Sequence, residues 1–284
     1  MLLPQGRWSQ DAERWRRAED YGFDHAWTYD HLAWRSLVDE PWFGTVPVLA
    51  AAAGVTSRIA LGTWVSSPNY RHPVPFAKDV MTLDDVSAGR FLLGVGAGGV
   101  GFDATALGGE VLPPRDRIDR LAEFVELLDA LLTGPVTSWA GRWYEAVEAR
   151  MHPGCVQQPR TPFVVAANGP RGMRIAARFG QGWATTGREG DDASTWWNGV
   201  AETVRRFEDA AAEAGREPGE VDRYLSVDTA SYALRSVEAF ADAAGRAGEL
   251  GFTDLVTHWP RPEGVYAGDE AVLEQVADLL PSLR

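Results

Sequence analysis

Cysteine is nearly absent from this chain. Cys155 stands alone among 284 residues, which excludes an internal disulfide and a thiolate metal cluster and fits a reducing cytoplasm. Lysine is as scarce: Lys78 is the only one, so any Schiff-base chemistry would rest on it alone. The formal net charge of −13 argues against nucleic acid as a partner, because phosphates need a basic face. No apolar run reaches the roughly 18 residues that a membrane span requires. The start, Met1-Leu2-Leu3-Pro4-Gln5, lacks the basic and apolar regions of a signal peptide. The five histidines show no metal-ligand spacing, so no metal is expected. A G-x-S-x-G elbow is missing too, which weighs against a hydrolase.

What is present is a core-forming composition, 45% hydrophobic, laid out as alternating strand-like and helix-like segments. The pattern predicts strands at residues 2–4, 25–28, 59–65, 90–96, 163–167, 182–186, 224–227 and 254–257. Helices are predicted over 9–21, 45–53, 74–86, 117–132, 171–179, 194–214, 237–250 and 269–280, with Ser9 as the first N-cap and Gly22 as its stop. Residues 137–158 break the rhythm and read as a small hairpin or an inserted loop. Eight strand–helix units without a linker predict one α/β domain over residues 1–284, an (α/β)8 TIM barrel with an insertion near 137–158.

In such a repeat, ligand-binding loops gather at the C-terminal ends of the strands. Tyr29-Asp30-His31, with Trp34 three residues on, closes the second strand with an acid, an imidazole and an indole. The same residues also suit a structural histidine beside an aspartate, and both readings stand on spacing alone. The stretch from Gly94 to Gly101 contains G-x-G-x-x-G, yet residues 102–114 behind it read as non-helical. A dinucleotide fingerprint needs a helix opening on its glycines, so a loop that lets backbone approach a flat ligand is the better reading. Asn168-Gly169-Pro170-Arg171-Gly172 is either a phosphate-holding helix start or an ordinary strand–helix turn. Trp27, Trp34, Trp64 and Tyr70 would form an apolar wall, and a His72-Pro73 helix entrance reads as structural.

Taken in order, Asp30-His31-x-x-Trp34, Leu61-Gly62-Thr63, Arg71-His72-Pro73, Gly89 through Gly96, Ala167 through Arg171 and Gly182-Trp183-Ala184 resemble the luciferase-like monooxygenase superfamily. These are the bacterial-luciferase-type flavin barrels, and Asp-His is similar to the branch that uses the deazaflavin coenzyme F420. The resemblance implies an F420-dependent oxidoreductase that moves a hydride between the deazaflavin C5 and a small organic substrate. It assigns His31 and Trp34 to catalysis, and Asp30, Thr63, Trp64, Val65, Gly98, Asn168, Gly169, Pro170 and Arg171 to the coenzyme. Trp64-Val65 falls where such enzymes carry a bulged cis peptide. A homodimer pairing through helices near the second and third strands is implied as well. FMN-dependent monooxygenation and non-catalytic flavin binding on the same fold are the alternatives. One departure is visible: sugar-phosphate dehydrogenases of this branch carry a catalytic glutamate where this chain has Gly99, with Asp103 nearby.

Overall fold

A computed structural model describes residues 1–99, 101–187 and 192–283. Among the described residues nine strands form: β1 (His25–Thr28), β2 (Ala60–Thr63), β3 (Phe91–Gly96), β4 (Val136–Ala140), β5 (Glu145–Arg150), β6 (Phe163–Ala166), β7 (Gly182–Thr185), β8 (Asp222–Ser226) and β9 (Asp254–Val256). The α-helices are α1 (Trp8–Asp20), α2 (Thr45–Ala53), α3 (Pro73–Val86), α4 (Phe102–Ala106), α5 (Pro114–Thr133), α6 (Pro170–Phe179), α7 (Ala193–Glu213), α8 (Val237–Glu249) and α9 (Glu270–Leu283). Seven strands hydrogen-bond in the order β1-β2-β3-β6-β7-β8-β9, and the pairs β1·β2, β2·β3, β7·β8 and β8·β9 run parallel. This is the TIM-barrel-type α/β architecture, with one strand fewer in the sheet than the sequence predicts. The missing one is the stub at 2–4. Met1 bonds to Thr257 O and Trp259 N at 2.7 and 2.8 Å, and no strand follows.

Contacts group the chain into two units. The amino-terminal unit holds Pro4–Arg16 and Asp24–Val164, and the carboxyl-terminal unit holds Met1–Leu3, Arg17–Phe23 and Val165–Arg284. In the amino-terminal unit, Trp27, Leu61, Phe91, Leu93 and Val95 of the strands are buried with Leu49, Phe76, Val80, Phe124 and Leu128 of the helices. Burial of such side chains contributes about 1.5–3 kcal/mol each against leaving them exposed. Arg90 explains part of the Gly89-Arg90 motif: its guanidinium donates to the carbonyls of Ala53, Thr56 and Ile59 at 2.8–3.2 Å, closing the end of α2. The irregular segment is an antiparallel hairpin, β4·β5, with a bulge between Thr137 and Trp139. Glu123 of α5 anchors it by accepting from the amides of Arg142, Trp143 and Tyr144 at 2.9–3.1 Å.

The carboxyl-terminal unit packs around Trp183 of β7, whose ring stacks on Phe207 of α7 at 4.2 Å and 6°. Its helix starts follow the expected chemistry. Pro170 opens α6, Asp192 caps α7 through Thr195 N at 2.8 Å, and Ser236 caps α8 through Ala239 N at 3.1 Å. Local differences from the sequence reading lie at termini. Helix α1 starts at Trp8, with Arg7 O accepting its first bonds, so Ser9 is inside the helix rather than its cap. Residues 102–106, read as non-helical, form the one-turn helix α4, led by Gly101 at φ 75°.

Candidate active site

Parallel pairing puts the C-terminal ends of β1, β2 and β3 on one edge of the amino-terminal unit, and the candidate residues collect there. Past Thr63 the chain bulges. Trp64 N donates to Thr28 O at 2.8 Å, the Trp64–Val65 peptide is cis, and Ser66 then resumes pairing beside Val95. Ser66 N donates to Gly94 O and Gly96 N to Ser66 O, both at 2.9 Å. This close run explains Gly94: a β-carbon there would collide with Thr63 O. The sequence-expected bulge is therefore present, with Thr63 buried and its Oγ1 donating to Gly94 O at 2.7 Å.

Asp30 is fully buried at the end of β1. Its Oδ2 accepts from Ser66 Oγ at 2.6 Å and Arg71 Nε at 3.0 Å, and its Oδ1 accepts from Arg71 Nη2 at 2.6 Å. Burial works against the Arg71 guanidinium, but the hydrogen bonds and charge of Asp30 outweigh it and raise its pKa. A carboxylate offers about four acceptor positions, so one remains on Oδ1. Arg71 also lies over the Tyr70 ring at 4.1 Å, and burial raises the Tyr70 pKa.

His31 sits one residue further along. Its Nδ1 is 2.6 Å from Asp103 Oδ2, and Asp103 Oδ1 accepts from Leu32 N at 2.7 Å. A carboxylate can only accept, so Nδ1 carries the proton and Nε2 is left to exchange one. No other hydrogen bond reaches the His31 ring among the described residues. Asp103 comes from α4, a turn whose sequence reads as non-helical. It is buried, while His31 is partly open, with side-chain exposures of 4% and 14%. Trp34 packs on His31 with ring centroids 4.7 Å apart, and Tyr29 packs on Trp34 at 4.8 Å.

Trp27, expected on the apolar wall, is instead wholly buried and meets Trp64 edge-on at 5.1 Å. Trp42, which no motif of the sequence marks, donates from Nε1 to His31 O at 2.8 Å. His72 caps α3 by accepting from Val74 N at 3.3 Å, the structural role its Pro73 neighbour suggests. Gly98, at φ 72°, sits against Asn69, whose Nδ2 donates to Gly98 O at 3.2 Å. Val100 of the glycine stretch lies outside the described residues.

In the carboxyl-terminal unit, Asn168, Gly169, Pro170 and Arg171 form the exposed start of α6. Asn168 is fixed by Thr185 Oγ1 at 2.6 Å and Thr186 Oγ1 at 2.9 Å. Met173 N makes the first intrahelical bond, to Gly169 O at 3.0 Å, so the Arg171 and Gly172 amides precede the ladder. A β-carbon at Gly169 would meet nothing within 4 Å, which leaves this terminus open to an anion.

Comparison with known proteins follows the same outline. The family model for luciferase-like monooxygenase matches residues 1–267. An F420-dependent glucose-6-phosphate dehydrogenase of Nocardia farcinica is 33% identical over 213 residues, 74% of this chain and 61% of that protein. A 4-hydroxyprotoasukamycin monooxygenase of Streptomyces nodosus subsp. asukaensis is 31% identical over 268 residues, 90% of this chain and 64% of that protein. The chain thus spans about three fifths of the length of these curated relatives. Among solved structures, an F420-dependent secondary alcohol dehydrogenase in complex with an F420-acetone adduct superposes with a TM-score of 0.83. It covers 100% of this chain and 99% of that one at 19% identity, which speaks to the fold.

Proposed function

Starting from the fact that this chain belongs to the luciferase-like monooxygenase family, we propose that it is an F420-dependent oxidoreductase acting on a small organic substrate. The carrying observation is His31 held by Asp103 at 2.6 Å beside the buried Asp30–Arg71–Ser66 group. Relatives named as F420-dependent support the coenzyme class. The residues present fit a deazaflavin. Thr28 Oγ1 is buried at the end of β1 without a hydrogen-bond partner among the described residues, and Asp30 keeps an acceptor for a polar ring edge. The open start of α6, taken by itself, suits a phosphate. On this proposal residues 1–284 are one domain that works in the cytoplasm as a homodimer; the exposed Ala50 on α2 leaves room for helix approach.

When bound, a deazaflavin supplies hydride exchange at C5 and reacts little with oxygen. The chain's part is orientation and proton handling. Asp30 and Arg71 fix the polar edge, and the Trp64–Val65 bulge with Gly98 offers a backbone bed. Trp34 limits water around His31. His31 Nε2 gives or takes the substrate proton, and Asp103 holds the ring in the tautomer that makes this possible. Asp103 thus stands beside the histidine in a chain with Gly99 where its relatives' acid is expected.

Asp103→Asn is expected to lower kcat by about 10²-fold with little change in KM, because the ring loses its orientation. Asp103→Glu should recover part of the loss. Equal kcat in the wild-type and Asn proteins, measured in steady state, contradicts the positioning role. The similarity to a protein named as a monooxygenase keeps FMN as the second reading. Oxygen uptake that depends on reduced FMN and substrate distinguishes it.

A further inference from the structure

In a chain with a net charge of −13 carboxylates outnumber guanidinium groups, and the largely buried arginines Arg71, Arg160 and Arg223 each meet one. Arg117 and Arg120, on the first turns of α5, are different. Among the described residues neither meets a carboxylate. Arg117 Nη1 donates to the carbonyls of Gly98, at 3.4 Å, and Gly99. Arg120 Nη2 donates to Asn69 Oδ1. The nearby acids are committed elsewhere: Glu123 to the hairpin amides and Asp116 to Arg142 at 3.1 Å.

At and around the pair, three buried polar atoms make no hydrogen bond among the described residues: Arg120 Nε, Ser67 Oγ and Tyr144 OH. Ser67 is 1% exposed and Tyr144 8%. Ser67 Oγ borders the Gly98 backbone next to Asn69, so these groups share one locale. Burial lowers the Arg120 pKa, Tyr144 opposes this, and Arg117 adds like-charge repulsion. Buried polar groups are normally satisfied, and even a partly buried cation without a counter-charge is unfavourable. An incoming anion relieves both conditions at once.

We infer that Arg117 and Arg120, with Ser67, Asn69 and the Tyr144 hydroxyl, form a subsite for a carboxylate or phosphate group of a small molecule. Guanidinium forks match the planar or tetrahedral oxygens of such groups, and the hydroxyls supply further donors. The subsite adjoins the candidate active site through the chain itself. Ser66 binds Asp30 at 2.6 Å, and Ser67 is the next residue. Its anion therefore belongs either to the substrate or to the coenzyme's phosphate-bearing tail.

The test uses inorganic phosphate and succinate, each against chloride at equal ionic strength, followed by thermal shift and calorimetry on the intact chain. Saturable binding of at least one is expected, with Kd raised tenfold or more in both Arg117→Gln and Arg120→Gln. Arg205→Gln, an exposed position on α7, should bind as the wild type does. F420 and its phosphate-free deazaflavin nucleoside are then titrated into Arg120→Gln. A loss confined to F420 assigns the anion to the coenzyme, whereas unchanged F420 affinity assigns it to the substrate, and either upholds the subsite. Saturable binding of neither probe, or equal weakening in Arg205→Gln, overturns it. Because the probes are simple anions, this result is separable from whether F420 binds.

Discussion

His31→Ala is expected to lower turnover by about 10²–10⁴-fold, the range by which a positioned acid–base group accelerates proton transfer. The effect should fall on kcat. The imidazole donates from Nδ1 to Asp103 and is open at Nε2, so it is arranged for a proton rather than for holding the coenzyme. Coenzyme affinity should stay within about threefold, since Asp30, Arg71 and the Trp64–Val65 bulge remain in place. The measurement needs a substrate, which a screen of hydride donors and acceptors against F420 supplies. Unchanged turnover in the alanine protein contradicts the assignment and returns His31 to a structural role.

Asp30→Ala is expected to destabilise the fold by about 3–5 kcal/mol, the cost of breaking one side of a buried ion pair. Arg71 bonds to both carboxylate oxygens and its side chain is only 14% exposed, so water does not readily replace the lost partner. Ser66 Oγ loses its acceptor too. Urea unfolding reads the change, and Asp30→Leu with Arg71→Met provides the control. Removing both charges should cost clearly less than the sum of the single replacements. A loss under about 1 kcal/mol in Asp30→Ala means the pair is more hydrated than its burial implies.

Much of this arrangement was legible in the sequence because it is local. Period and turn chemistry marked the strand–helix alternation, and Pro73 and Pro170 marked helix starts that the structure has. Asp30, His31 and Trp34 stood out because three functional side chains close one short strand. The partners did not stand out, because they are distant in sequence. Asp103 meets His31 across 72 residues and Arg71 meets Asp30 across 41, and no spacing rule connects such pairs. Helix α4 escaped notice because five residues are too few for a 3.6-residue period to show. Aromatic character alone puts Trp27 on the wall, but in a strand alternate side chains face opposite ways and it lies in the core. The stub at 2–4 had apolar character but lacked length for a ladder. The unpaired arginines of α5 became visible only when their carboxylate neighbours were accounted for in space.

The most direct test is a fluorescence titration of the purified apo-protein with coenzyme F420 and, separately, with FMN. Micromolar or tighter F420 binding with much weaker FMN binding is the predicted result. A preference for FMN, or no F420 binding at micromolar concentration, contradicts the proposed function and moves the search to oxygen-dependent chemistry on the same fold.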